Sequence, residues 1–202
     1  MPRLRKYETC VVFSKVTKYP ICMLAPTNWI YTNKVLIIGT ERSDQFTICL
    51  STFFCSWLEN YSGGRRGGTL SLSINESVEK FPMPNFITKQ DSIDVAAMFN
   101  ASAVQWSLNN NIGLTGVMNA INSPECEDSV IRELRRNLVT IDQCVAEAYG
   151  WDDLDMTRHF YNLEGRPERN STRFSISKST RTDIVQRLLE LNRQLYSNES
   201  KV

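Results

Sequence analysis

The spacing of apolar residues changes character along the chain, from short alternating or continuous runs to long stripes at three- and four-residue intervals. "YETCVVFSKV", Tyr7 to Val16, and "KVLIIGT", Lys34 to Thr40, are rich in β-branched and aromatic residues and read as strands. Between them "KYPICMLAPTNWIYTN" carries Pro20 and Pro26, which lack amide donors and confine the piece to an edge strand or a loop. Ser43 or Asp44 is placed to cap one helix through "QFTICLSTFFCSWLENY". Phe46, Leu50, Phe53, Phe54, Trp57 and Leu58 give that helix a broad apolar face to lay on the sheet. In "ENYSGGRRGGTLSLS", Glu59 to Ser73, Gly63 or Gly64 is placed to end the helix in a left-handed conformation, and "TLSLSI" alternates as a half-exposed strand. Pro82 and Pro84 in "EKFPMPN" then force an extended boundary segment.

Beyond it the pattern is helical: Asp91 to Leu108, Gly113 to Ile121, Glu127 to Tyr149 and Thr180 to Tyr196. In the third helix Val130, Ile131, Leu134, Leu138, Ile141, Val145 and Ala148 form one stripe, with Glu127 and Asp128 at the N-terminal end and Gly150 just past the other. "RFSISKSTRTD" reads as a short strand and a cap leading into the last helix. The expected class is α+β: a mixed β-sheet domain over residues 1–85, then a helical domain over 86–202.

Composition makes this a folded chain, since 42% of its 202 residues are hydrophobic and 22% charged. Six cysteines contain no CxxC pair, so they read as reduced thiols rather than a zinc ribbon or redox motif. No stretch approaches ~18 apolar residues, so no membrane partner is expected and the cytoplasm is the expected compartment. Charge is uneven: residues 1–90 hold 11 Lys/Arg against 6 Asp/Glu, and residues 91–202 hold 12 against 16. A basic first half suits a polyanion and an acidic helical half suits a scaffold, although solvated faces produce the same imbalance.

The glycine-flanked Arg65 and Arg66 belong to neither GxxxxGK[ST] nor GxGxxG, which leaves a turn without ligand or an exposed basic tip able to meet phosphates or guanine. His159, the one histidine, has no nucleophile signature near it, and Asp152, Asp153 and Asp155 read as turn or cap residues. No catalytic residue and no metal site is assigned.

Three pieces in order carry a family resemblance: "GLTGVMNAINSPECED" (113–128), "IRELRRNLVTIDQCVAEAYGWDDLD" (131–155) and "RFSISKSTRTDIVQRLLELNRQLYSNE" (173–199). The middle piece has the form LRxxxxxxDxxVxxAYGW, and upstream "SLSINESVEKFPMP" ends in FPxP. Together they resemble the target-recognition and C-terminal region of large bacterial restriction-modification and bacteriophage-exclusion type adenine-N6 DNA methyltransferases. The family's glycine-rich S-adenosylmethionine loop and [ND]PP[YFW] motif do not occur in these residues.

The resemblance therefore implies sequence-specific recognition of double-stranded DNA by a detached part or subunit, not an enzyme on its own. It implies no cofactor in this chain, with S-adenosylmethionine held by a methyltransferase catalytic subunit or domain. On that reading Arg65 and Arg66 read bases or phosphates, Lys15, Lys18, Lys34 and Arg42 meet phosphates, and Trp29 and Tyr31 either stack on an unpaired base or join the core. Phe81, Pro82 and Pro84 set the direction of the connection between the halves. Asp142 is expected to meet a polar partner on a neighbouring helix, and Tyr149, Gly150 and Trp151 to clasp the end of their helix. The alternatives are a module that docks a methyltransferase or restriction partner without touching DNA, and an inactive gene remnant.

Overall fold

The β-branched and aromatic run at Thr9–Ser14 forms a strand, β1, at the centre of the first sheet. The computed structural model describes residues 6–40, 42–66, 69–87, 90–162 and 171–199. After β1 come β2 (Val16–Thr17), β3 (Cys22–Pro26), β4 (Val35–Gly39), α1 (Gln45–Leu50), α2 (Thr52–Tyr61), β5 (Gly63–Arg66) and β6 (Thr69–Ser71). A turn of π-helix at Ile74–Val78 precedes α3 (Gln90–Asn109), α4 (Leu114–Ile121) and α5 (Ser129–Tyr149). Strands β7 (His159–Asn162) and β8 (Thr172–Ser175) and helix α6 (Lys178–Glu199) complete the described elements. The class is α+β. Its described strands form three small sheets, ordered β3-β1-β4, β2-β6-β5 and β7-β8, with antiparallel pairing throughout.

In the first sheet β1 is antiparallel to both neighbours, so β3 and β4 run the same way and residues 27–34 must recross the sheet. Val11 pairs with Leu24 and Ile38, and Phe13 with Cys22 and Leu36, forming the face turned to the core. Cys10 alternates to the opposite face yet is fully buried. Its thiol donates to the Tyr31 hydroxyl at 3.5 Å, and that hydroxyl donates to the Pro26 carbonyl at 2.5 Å. Tyr31 thus covers this end of the outer face. The proline-bearing strand β3 is an edge strand, as its missing amide donors require.

The single helix expected over residues 45–61 is two helices. Ser51 is extended (φ −68°, ψ 157°), and its hydroxyl donates to the Ile48 carbonyl at 2.7 Å while accepting from the Phe54 amide at 3.4 Å. One side chain closes α1 and caps α2, which is the role serine competes for against a helix interior. Helix α2 is not ended by a left-handed glycine either: Ser62 closes it in extended backbone, and Gly63 enters β5 directly.

Residues from both sides of position 85 share one buried cluster. Phe54 and Trp57 of α2 meet Phe81, and Phe53 and Leu58 of α2, Phe99 of α3, Ile121 of α4 and Ile184 and Leu188 of α6 belong to the same cluster. Ile131, Leu134, Leu138, Ile141 and Val145 are buried along α5 as the stripe predicts, each contributing roughly 1.5–3 kcal/mol through burial. Gly150 ends α5 at φ 72°, and Ser177 accepts from the Thr180 amide at the start of α6.

Candidate nucleic-acid interface

Lys15 lies where two sheets meet. Its amide donates to the Lys34 carbonyl at 2.9 Å, and its carbonyl accepts from the Leu72 amide at 2.8 Å. The next residues form β2, where Val16 pairs with Ser71 and Thr17 with Leu70. On the far side of β6, Gly63 pairs with Ser71 and Arg66 with Thr69. Lys18, one step past Thr17, therefore comes to the end of the sheet where Arg66 pairs with Thr69. Two strand spacings separate them, roughly 10 Å of backbone. Lys15, Lys18, Lys34, Arg65 and Arg66 are thus gathered on and beside one three-stranded sheet. The arginine pair stands on a strand rather than in a free loop; the direction of its side chains, and Gly67 and Gly68 beyond it, lie outside the described residues.

Arg42, Trp29 and Tyr31 are placed elsewhere. The Arg42 guanidinium makes two bonds to the buried Asp44 carboxylate, at 2.9 and 2.6 Å, and donates to the carbonyls of Pro84 and Asn85 at 3.1 and 3.2 Å. Trp29 and Ile30 sit in the crossing segment, 62% and 100% exposed, so this tip offers apolar surface to solvent. Tyr31 instead braces the sheet, and burial with the Cys10 hydrogen bond pushes its phenol up to about 12.

The LRxxxxxxDxxVxxAYGW pattern has a concrete meaning on α5. Arg135, Asp142 and Tyr149 recur at seven-residue intervals, which puts them on one line of the helix. Arg135 donates to the carbonyls of Ile121, Cys126, Ala120 and Ser123 at 2.6–3.1 Å, a cation at the C-terminal end of α4. Asp142 accepts from the Thr52 amide and hydroxyl at 2.7 Å each and from Arg158 Nε at 2.9 Å, so its charge faces the first turn of α2. The Tyr149 hydroxyl donates to the Pro82 carbonyl at 2.6 Å.

Three buried polar contacts thus fasten α5 to α4, α2 and the FPMP segment. Phe81 packs edge-on against Phe54, 4.9 Å between ring centres, while Arg42 holds the Pro84 carbonyl from the other side. Trp151 stacks on Tyr149 at 4.4 Å under the Arg187 guanidinium.

Arg135, Arg158 and Arg173 escape a reading by residue type, because arginine reads first as surface charge. For Arg135 the seven-residue spacing from Asp142 was the available signal; Arg158 has none, since its partners Asp142, Thr52 and Phe174 are 16 or more residues away, and Arg173 packs on the distant Tyr19 ring. His159 is exposed, edge-on to Tyr161. Cys22, Cys49 and Cys55 are pushed up by burial, Cys55 to about 12, so they stand as neutral thiols. No described helix is long and apolar enough to cross a membrane.

No protein-family model matches the chain, and no curated protein does. Among solved structures, that of the Type IIL restriction-modification enzyme MmeI in complex with DNA shares its fold: the TM-score is 0.64 over 94% of this chain, at 17% identity. The chain spans 21% of that enzyme's length.

Proposed function

We propose that this chain is the DNA target-recognition region of a restriction-modification system built on an adenine-N6 DNA methyltransferase. Residues 1–85 act as the reading part and 86–202 as the scaffold that presents it. The observation that carries the reading is the register of the β2-β6-β5 sheet, which gathers Lys15, Lys34, Lys18 and the strand bearing Arg65 and Arg66 within a few strand spacings. Likeness of fold to part of an enzyme determined with DNA supports the same direction.

An enzyme that modifies a base must first hold the site and extrude that base, so reading and chemistry separate naturally onto different parts. Here the sheet supplies cations for the backbone, and the arginine strand supplies bidentate donors for guanine. The methyl donor, S-adenosylmethionine, belongs to the catalytic part, and the assembly works on cytoplasmic DNA as a defence against phage.

Methylation sequencing of cells with and without the gene tests this. One adenine-methylated motif disappears on deletion; an unchanged methylome refutes it. With the catalytic partner present, Arg65→Ala/Arg66→Ala weakens site preference, by roughly 1–3 kcal/mol for each bidentate guanine contact removed. A second reading, a docking module, takes its support from one observation: Met98 and Leu108 of α3 are 51% and 69% exposed, two separate apolar side chains open to another subunit. It predicts co-purification with the catalytic subunit, and DNA affinity indifferent to the arginines.

A further inference from the structure

Ile30 is the most exposed large apolar residue described, at 100%, and Trp29 beside it is 62% exposed. Lone apolar residues at a surface are ordinary. Here two of them adjoin at the apex of a braced turn. The Pro26 carbonyl accepts from the Trp29 amide at 3.4 Å and from the Tyr31 hydroxyl at 2.5 Å. Before the turn the Thr27 amide donates to the Glu8 carbonyl at 3.0 Å, and after it the Val35 amide donates to the Thr32 carbonyl at 3.4 Å. Both flanks are tied down, so the tip is held outward.

The charge around the tip favours a polyanion. Residues 9–40, bounded by Glu8 and Glu41, contain Lys15, Lys18 and Lys34 and no Asp or Glu. Lys34 stands four residues from Ile30, at most about 14 Å of chain. Lys15 lies opposite it, its amide bonded to the Lys34 carbonyl at 2.9 Å, and like charges directly opposite in a sheet are destabilising. Among the described residues neither ammonium meets a carboxylate. Cations beside an apolar tip match duplex DNA, with its phosphates outside and stacked bases within. A stable protein partner needs roughly 800 Å² on each side, more than two side chains on one turn present. A blade of this size instead matches the gap between base pairs, which isoleucine and other apolar side chains enter.

We propose that the tip formed by Trp29 and Ile30 is a wedge that enters duplex DNA at one base step. Ile30 parts the neighbouring base pairs, Trp29 stacks on a base face so uncovered, and Lys34 and Lys15 meet phosphates beside the opening. The proposal rests on the DNA reading above and deepens it, adding a contact that works through deformation of the duplex rather than through hydrogen bonds to base edges. Parting a base step unstacks it, so a duplex in which a mismatch has already loosened one step is bound more tightly. That preference is testable.

The full chain is titrated with a fully paired duplex and with the same duplex carrying one central mismatch, as wild type, Ile30→Ala, Ile30→Leu and Trp29→Ala. Permanganate oxidation reports thymines that lose their stacking, and thermal unfolding confirms that each variant is folded. Wild type is expected to prefer the mismatched duplex and to make thymines beside the mismatch more reactive. Ile30→Ala loses both effects and Ile30→Leu keeps them. Trp29→Ala weakens binding of the mismatched duplex roughly 5- to 150-fold, the effect of one stacked base lost. Duplex binding without a mismatch preference, or with one that survives Ile30→Ala, overturns the wedge and leaves the DNA reading standing. Self-association of wild type that Ile30→Ala abolishes, seen by sedimentation, makes the tip a contact between copies and overturns the wedge. No binding of either duplex overturns both the wedge and the DNA reading.

Discussion

Replacing Asp142 with alanine tests whether the central contact of α5 holds the fold together. The carboxylate is fully buried and accepts from the Thr52 amide, the Thr52 hydroxyl and Arg158, whose side chain is only 8% exposed. Asp142→Ala strands the Arg158 guanidinium and removes the negative charge facing the N-terminus of α2. Removing one partner of a buried pair costs about 3–5 kcal/mol. At roughly 2–4 °C per kcal/mol for a chain of this length, the unfolding midpoint falls by roughly 6–20 °C. Circular dichroism during heating and the urea midpoint both measure it. The double variant Asp142→Leu/Arg158→Met removes both charges, and apolar replacement of a buried pair is often neutral, so it is expected to recover most of the loss. A single variant within about 1 kcal/mol of wild type, or a double variant whose losses simply add, refutes the account.

Three further outcomes follow from the same geometry. Tyr149→Phe deletes the bond to the Pro82 carbonyl and costs about 1 kcal/mol, with faster amide exchange in residues 81–87 as the readout. Gly150→Ala costs about 1 kcal/mol through backbone conformation alone, because φ is 72° and an added Cβ meets nothing within 4 Å; Gly150→Asn costs less, compared by urea midpoints. Asp128 is held below the ordinary carboxylate range, chiefly by the Trp106 indole donor and also by the Ile131 and Val130 amides. A depressed folded value contributes stability that is present above the unfolded carboxylate value, about 3.9, and is lost as pH falls through the lower folded one. The urea midpoint of Asp128→Asn is therefore expected to fall less steeply than wild type below about pH 4.

What could be read in the residues was whatever a local rule encodes. The stripe on α5, the left-handed Gly150 and the edge position of the proline-bearing strand each follow from period, φ or a missing donor, and all three are present. The break at Ser51 was not legible, because Phe46 to Leu58 keep an unbroken apolar pattern while the decisive event is a distant carboxylate meeting Thr52. Strand β7 was missed because His159–Asn162 is short and largely exposed; it exists by pairing with β8. For the candidate interface, residue type picked out the lysines but could not tell Lys18, beside the small sheet, from Arg42, committed to Asp44 and two carbonyls. That difference arises from contacts distant in sequence, such as Lys18 with Asn119 and Arg42 with Pro84.

The join at Lys15 combines peptide groups with buried leucines. Main-chain bonds at 2.9 and 2.8 Å tie the small sheet to the larger one, and Leu70 on β6 with Leu72 just beyond it seats that sheet in the buried cluster. A strand mounted in this manner has one side held and one side open: Leu70 is fixed in the buried cluster, whereas Ser71 faces solvent. Substitutions on the open side would leave the seating of the sheet on the core unchanged.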